Sequence, residues 1–378
     1  MIQPTYAAAQ LAAARIHRHL AAYSVPAQLS AQHAATLPDA ATLAALIDVA
    51  FWTSLRREEG YIPRISLAFV APEQVDKAVA FATSLSLEPK DLAKLAAAVE
   101  RPGLQLGVWP QQDELRVWGI TRNLPGLCLV LEVVLPGVLV VKQSPSEESG
   151  KFINIAVLHG DEIKIIDPAA AIRPAYPTLL SSLLRFESQF AAGSAVNVLL
   201  ELAVSIRAHG RGGTLLVVPA GSDAWTESIL HPIVYSVVPA FSGLGDLMRK
   251  DAGSKPSRRW EDALGRAVDG IAGLTAVDGA TLITADYDLL AFGTKIVRRT
   301  GSPLVAQVIL TEPVEGGTPV IVEPAQFGGT RHLSAAQFVH DQKDAIALVA
   351  SQDGRFTAFA WSPAEEAVHA NRIDALLL

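Results

Sequence analysis

One cysteine occurs in the 378 residues, Cys128, inside the apolar run GLCLVLEVV. An intrachain disulfide is therefore impossible and a cysteine-rich metal site is excluded, which leaves a buried small hydrophobe as its reading. Charge is also scarce: 18% of residues are Asp, Glu, Lys or Arg, against 50% apolar. The formal net charge is −7, and no run of Lys and Arg offsets it. That argues against a sequence-independent grip on DNA or RNA. The one basic cluster, Lys255, Arg258 and Arg259, reads as a solvated helix entrance. Long apolar runs are missing as well. The longest, LCLVLEVVLPGVLVV, is broken by Glu132, Pro136 and Gly137 and reads as two strands around a turn rather than a membrane span. The start, MIQPTYAAAQLAAARIHRHL, has no positive region followed by a clean apolar core and does not read as a signal peptide. The expectation is a soluble cytoplasmic protein with neither a membrane nor a nucleic-acid partner.

What the sequence has is core material. A mean hydropathy of +0.29 leaves little room for disorder, and the length favours two domains. The first sixty residues read as helices: TYAAAQLAAARIHRHLAAY, then DAATLAALIDVAFWTSLRREEG with Asp39 as N-cap and Gly60 as stop. From there to about residue 168 the period shifts toward two. RISLAFV, LQLGVW, LRVWGI, CLVLEVV, GVLVVK, INIAVLHG and EIKIID read as strands, with turns at QQDE, LPG and HGDE. A helix over EQVDKAVAFATSL is expected to interrupt them. The result is an α+β module, residues 1–172, built on an antiparallel sheet.

The connection AAAIRPAYPT marks the boundary. Beyond it, over residues 173–378, helices are expected at LLSSLLRFESQF, at GSAVNVLLELAVSIRAHG with Gly210 as its stop, within 256–273 and from Ser334. Strands are expected at TLLVVPA, at ATLITA continuing to about residue 291, and at PLVAQVIL, PVIVEP, AIALVAS and RFTAFAW. That order predicts an α/β domain with a mixed sheet flanked by helices.

Two motifs carry chemistry. In VDGATLITA, Asp278 stands before an apolar strand, and Gly279 would let it emerge at a sheet edge to hold a divalent ion bridging phosphates. An ordinary Asp-Gly turn explains the same residues. In GGTRHLSAA, Gly328 and Gly329 permit backbone conformations closed to other residues. Thr330, Arg331 and His332 then bring a hydroxyl, a fixed cation and an imidazole, and Ser334 can cap the following helix. A glycine loop, an arginine and a helix N-terminus together make an anion site, although a helix entry with a surface arginine fits too. HGRGGTLLVVP runs helix, glycines, strand, so its glycines read as a helix stop, with Arg211 and Thr214 free to line a pocket. PSEESGKF is not a P-loop, because Pro145 stands where its first glycine belongs and Phe152 follows Lys151. No HExxH, nucleophile elbow or histidine pair at metal-ligand spacing occurs.

Taken together, VDGATLITA and GGTRHLSAAQFVHDQKDAIALVASQDGRFTAF resemble the diadenylate cyclase (DAC) domain, over roughly residues 195–362, with RGGTLLVVP as the entering strand. The N-terminal half looks like the accessory region of DAC-related proteins proposed as nucleotide sensors. The resemblance implies a nucleotidyltransferase that condenses two ATP to cyclic di-AMP and two pyrophosphates in a face-to-face homodimer or higher homo-oligomer. It implies Mg²⁺ or Mn²⁺ on Asp278, with Gly279 and Ala280 approaching the nucleotide. Gly329, Thr330 and Ser334 would line the nucleotide site, and Thr330, Arg331 and His332 would hold phosphates and stabilise the leaving group. Three departures stand against it. Leu333 replaces a third motif cation, Ser351-Gln352-Asp353 keeps one carboxylate of an acidic pair, and the stretch around PLVAQVILTEPVEGG is longer than expected. These departures suit the alternative, a non-catalytic sensor that binds a nucleotide or cyclic dinucleotide.

Overall fold

The computed structural model describes residues 5–24, 35–101, 103–145, 152–167, 196–250 and 257–378. The chain forms two compact units, Met1–Ile166 with Leu378, and Asp167–Leu377. The division falls six residues before the expected 172/173 boundary. That boundary, its proline-bearing connection and the helix expected at LLSSLLRFESQF lie outside the described residues. Both units are mixed α/β.

The first unit begins with two helices, α1 (Ala8–Ser24) and α2 (Ala40–Ser54). Asp39 caps α2, its carboxylate accepting from the Thr42 N–H at 2.7 Å. The helix ends at Ser54, well before Gly60. Eight strands follow: β1 (Ser66–Phe69), β2 (Val79–Ser86), β3 (Gln105–Gln111), β4 (Glu114–Thr121), β5 (Leu129–Leu135), β6 (Val138–Gln143), β7 (Ile153–His159) and β8 (Glu162–Ile165). A third helix, α3 (Pro89–Val99), lies between β2 and β3. The sheet order is β2-β4-β3-β1-β5-β6-β7-β8, antiparallel except for β1 beside β3.

Alternation along β1 separates two cores. Leu67 and Phe69 join Leu43, Leu46 and Ile47 of α2 and Leu92 of α3, while Ala68 and Val70 join Trp118 and Cys128. Gly107 makes room for the Trp118 ring, since a Cβ there would come within 2.3 Å of it.

The helix expected over EQVDKAVAFATSL is not formed. A single 3₁₀ turn, Pro72–Gln74, precedes Lys77 at φ +56°, and Val79–Ser86 is a strand paired antiparallel with β4. Pairing outside the segment overrides a modest helix preference here. Because β2 is an edge strand with mostly exposed residues, it carries no alternating apolar signal. The helical signal lay just downstream instead. Pro89 opens α3, and Leu92, Ala96 and Val99 at helical spacing are its buried face.

The second unit is a nine-stranded sheet in the order β10-β12-β11-β9-β15-β16-β17-β13-β14. Its strands are β9 (Gly213–Val218), β10 (Tyr235–Phe241), β11 (Ala280–Thr284), β12 (Leu289–Thr294), β13 (Val308–Thr311), β14 (Val320–Val322), β15 (Ile346–Ala350), β16 (Phe356–Ser362) and β17 (Ala367–Arg372). The β9–β11 and β13–β17 pairs are parallel and the remaining neighbours antiparallel. The helices are α4 (Val198–Ala208), α5 (Gly243–Lys250), α6 (Arg258–Leu274), the short α7 (Pro324–Phe327) and α8 (Thr330–Asp341). Asn197 caps α4, and Gly210 at φ +67° ends that turn before β9 as expected.

Phe338, Val339, Ala335 and Ala336 of α8 pack on Leu216, Leu282, Ala347 and Phe359. Leu215 and Val217, alternating with Leu216, are fully buried as well, and α4 packs on α6 and β15. Central strands covered on both faces read as continuous apolar runs, which is why β9, β11 and β15 were legible. The strand expected from Ala280 to residue 291 is two strands joined by a hairpin, with Tyr287 at φ +66° in the turn. The segment around PLVAQVIL contributes only β13, paired with β14 and β17.

Candidate functional site

Strand register assembles one end of the second sheet. Ala280 at the start of β11 faces Thr214 of β9 on one side and Thr294 at the end of β12 on the other. Ala350, closing β15, faces Gly213. Two strand beginnings and two strand ends thus meet where α8 also begins. Here lies an open cleft of about 530 Å³. Asp278, Gly279 and Ala280 line it from the α6–β11 connection, and Thr294, Lys295 and Ile296 from the end of β12. Gly329, Thr330, Arg331, His332 and Ser334 line it from α8, with Thr214, Ala350 and Ser351 completing the wall. All eight site residues singled out in the sequence line this cleft. Arg211 does not.

Asp278 sits at the end of an interior strand, not at a sheet edge. Its carboxylate is 88% exposed, and its Oδ2 lies 2.5 Å from Lys295 Nζ. That ammonium holds the carboxyl below its ordinary range, with a smaller pull from Arg331. Gly279 has φ +115°, and a Cβ on it would strike the Gly293–Thr294 backbone at 2.5–2.8 Å. It is needed for the close approach of two chain segments, which is reason enough for glycine without any ligand.

Helix α8 starts at Thr330, not at Ser334. Ser334 is therefore inside the helix and caps nothing, and Thr330, Arg331 and His332 form its first turn rather than a loop. Gly329 is the N-cap and offers no side chain to the first amides, leaving an uncapped helix N-terminus facing the cleft. Gly328 and Gly329 have φ −158° and −81°, conformations open to any residue. Space, not backbone freedom, demands glycine at 328, because a Cβ there would meet the His332 ring at 2.2 Å.

Arg331 and His332 diverge in character. The Arg331 guanidinium makes no hydrogen bond or ion pair among the described residues, and lies against Gly212 at the mouth of β9. His332 is buried, edge-on to Phe327 and Phe359, with Nε2 3.3 Å from Thr357 Oγ1. Burial lowers its pKa to about 4, with Asp353 opposing the shift and nearby arginines adding to it. At neutral pH it is an uncharged ring. It can exchange one hydrogen bond with a ligand, but it cannot act as a cation toward phosphate.

Sequence reasoning missed Lys295. A single lysine after an apolar strand carries no local signal, and only the β11–β12 pairing brings it to Asp278. The same lysine bears on the expected Mg²⁺ or Mn²⁺. Among the described residues, Asp278 is the only carboxylate lining the cleft, and no group of three or more His, Cys, Asp and Glu that could hold a metal occurs. Both ions want several oxygen ligands, and the place beside Asp278 is filled by an ammonium. The protein's own donors do not complete a divalent site: an ion there would need Lys295 moved aside and phosphate or water oxygens for its other ligands.

The first unit has a cleft of its own, about 900 Å³. Trp52 and Arg56 line it near the end of α2, Glu88 and Lys90 at the start of α3, and Asp113 at the β3–β4 hairpin. Among the described residues, the buried indole N–H of Trp52 has no hydrogen-bond partner. Among the described residues no helix is long and apolar enough to cross a membrane.

A family model described as "Probable sensor domain DACNV" matches residues 32–122, a stretch that runs from before α2 to the end of β4 and contains every residue lining the cleft of the first unit. That stretch is thus similar to a probable sensor domain associated with DAC proteins at their N-terminal side. No curated protein matches the chain.

Proposed function

We propose that the chain is a DAC-related sensor protein whose second unit binds a nucleotide or cyclic dinucleotide. One observation carries the reading. Residues from positions 278–280, 294–296 and 329–334 line a single cleft that holds two cations, one carboxylate and an uncapped helix N-terminus. Lys295, Arg331 and the first amides of α8 supply positive potential for phosphate. The side-chain hydroxyls of Thr330, Ser334 and Ser351 add donors. Among the described residues, no aromatic ring other than the His332 imidazole lines the cleft, so this wall offers no stacking platform for a base. The volume lies within the usual range for small-ligand pockets. The sensor-domain match in the first unit supports the same reading, and that unit's own cleft offers room for a second small ligand.

The test is a calorimetric titration of the protein with ATP and with cyclic di-AMP, beside Arg331→Ala. A charge-assisted contact of about 1.5–3 kcal/mol corresponds to a roughly 10- to 100-fold loss of affinity. Unchanged affinity in the variant would remove the phosphate role.

The second reading is the diadenylate cyclase itself, favoured by Asp278 and Arg331 lining the same cleft. It requires two copies face to face, each presenting a ribose 3′-hydroxyl to the other's α-phosphate. Incubation with ATP and Mn²⁺, with product detection by mass, separates the two. Cyclic di-AMP from the wild type but not from Asp278→Asn would make the chain an enzyme. Bound ligand without product keeps it a sensor.

A further inference from the structure

We infer, building on the nucleotide-binding reading, that Lys295 takes the place of a divalent cation, so that the cleft accepts a nucleotide's phosphates without metal. The position of this lysine is set by the backbone. Thr294 is the register partner of Ala280; Lys295 directly follows β12, and Asp278 lies two residues before β11. The turn of the chain at Gly279, φ +115°, and not strand alternation alone, brings the Asp278 carboxylate to 2.5 Å from Lys295 Nζ. Gly279 secures the approach, because any Cβ there would push Gly293 and Thr294 away and Lys295 with them.

The ion pair has little structural worth where it stands. Asp278 is 88% and Lys295 52% exposed, and exposed pairs contribute little to stability. Its value lies in orientation. Asp278 fixes a flexible ammonium at the wall of a cleft whose other cation, among the described residues, is Arg331. Two cations and a helix N-terminus then face an incoming phosphate chain, with a single carboxylate opposing them. A divalent ion entering this site would have to displace Lys295 from Asp278 and would find no second carboxylate. An ammonium on a flexible stem makes point contacts with phosphate oxygens and needs no coordination geometry. The resulting site prefers the free polyphosphate anion over its magnesium complex.

The experiment is ATP binding by calorimetry, in EDTA and in excess MgCl₂, for the wild type, Lys295→Met and Lys295→Arg, with a thermal melt on each protein. The expected result is wild-type affinity in EDTA equal to or tighter than in MgCl₂. Lys295→Met should lose at least tenfold in EDTA and recover part of that loss with Mg²⁺, because Asp278 is then released to a metal. Lys295→Arg, which keeps the charge, should stay within a few-fold of the wild type. Wild-type binding that requires Mg²⁺ would overturn the inference while leaving the nucleotide reading intact. Equal affinity of wild type and Lys295→Met in EDTA would overturn it too. If ATP bound in neither buffer, the nucleotide reading would itself fail for ATP, and this inference with it.

Discussion

The Arg331 guanidinium lies against the α-carbon of Gly212, so closely that a Cβ on that glycine would come within 2.7 Å of Nη1. Gly212 is at φ +70°, where an L side chain is strained. The helix-ending glycines of HGRGGTLLVVP thus have a second consequence: one of them leaves the space that the cleft's arginine occupies.

Gly212→Ala should therefore affect both stability and binding. The backbone penalty is about 1 kcal/mol, read as a lower denaturation midpoint. Displacement of Arg331 should weaken ATP or cyclic di-AMP binding several-fold or more, read by titration. Loss of stability with binding untouched would mean that Arg331 does not need its present position.

The His332 ring predicts a pH dependence of stability. Its folded pKa, about 4, lies below the ordinary histidine value of about 6.5. Between those values the unfolded chain binds the proton and the folded chain does not, so stability rises with pH across that window. The contribution is fully present above about pH 6.5 and is lost as pH falls toward 4, amounting to on the order of 3 kcal/mol. Urea denaturation of wild type and His332→Gln at pH 4.5, 5.5 and 7 checks this. The difference between the two should shrink as pH falls, and a pH-independent difference would show that the ring is not held neutral.

Gly328 and Gly329 separate space from conformation. Gly328→Ala forces a Cβ into the His332 ring and should cost about 1–3 kcal/mol, as overpacking does. Gly329→Ala meets nothing within 4 Å and should cost no more than roughly 0.5–1 kcal/mol, the difference between glycine and alanine at an N-cap. Thermal melts of both variants test the order. Equal costs would mean that backbone freedom, after all, is what both glycines supply.

Cys128 should be inert in the folded protein. It is fully buried, and burial pushes its thiol up to about 12, so the reactive thiolate is absent at neutral pH. A thiol-reactive dye is expected to label it only after denaturation. Rapid labelling of the native chain would show that the core around Trp118 opens.

Much of this was readable in the residues. β9, β11 and β15 are continuous apolar runs because both faces of the central sheet are covered, and no other element type explains TLLVV or AIALVA so well. Asp39 announced α2, and Gly210 announced the end of α4. Asp278 and Arg331 stood out because a carboxylate, an arginine and glycines cluster in two short stretches. β2 did not stand out, since an exposed edge strand buries no alternating face and is defined only by β4. Nor did the true start of α8: Gly-Gly-Thr reads as a loop until the packing of His332 on Phe327 and Phe359 draws Thr330 into the first turn.

The amino-acid order by itself determined the local matters: which segments are apolar enough to be buried, where helices are capped and stopped, that no disulfide joins two points of this sequence, and which residues bring charge near glycine. These depend on neighbours a few positions apart. Tertiary structure alone decided that His332 is uncharged, that Gly328 is required by a ring four residues on, and that Asp278 faces Lys295. Desolvation and strand register depend on chain segments far apart in sequence, and no local pattern encodes them.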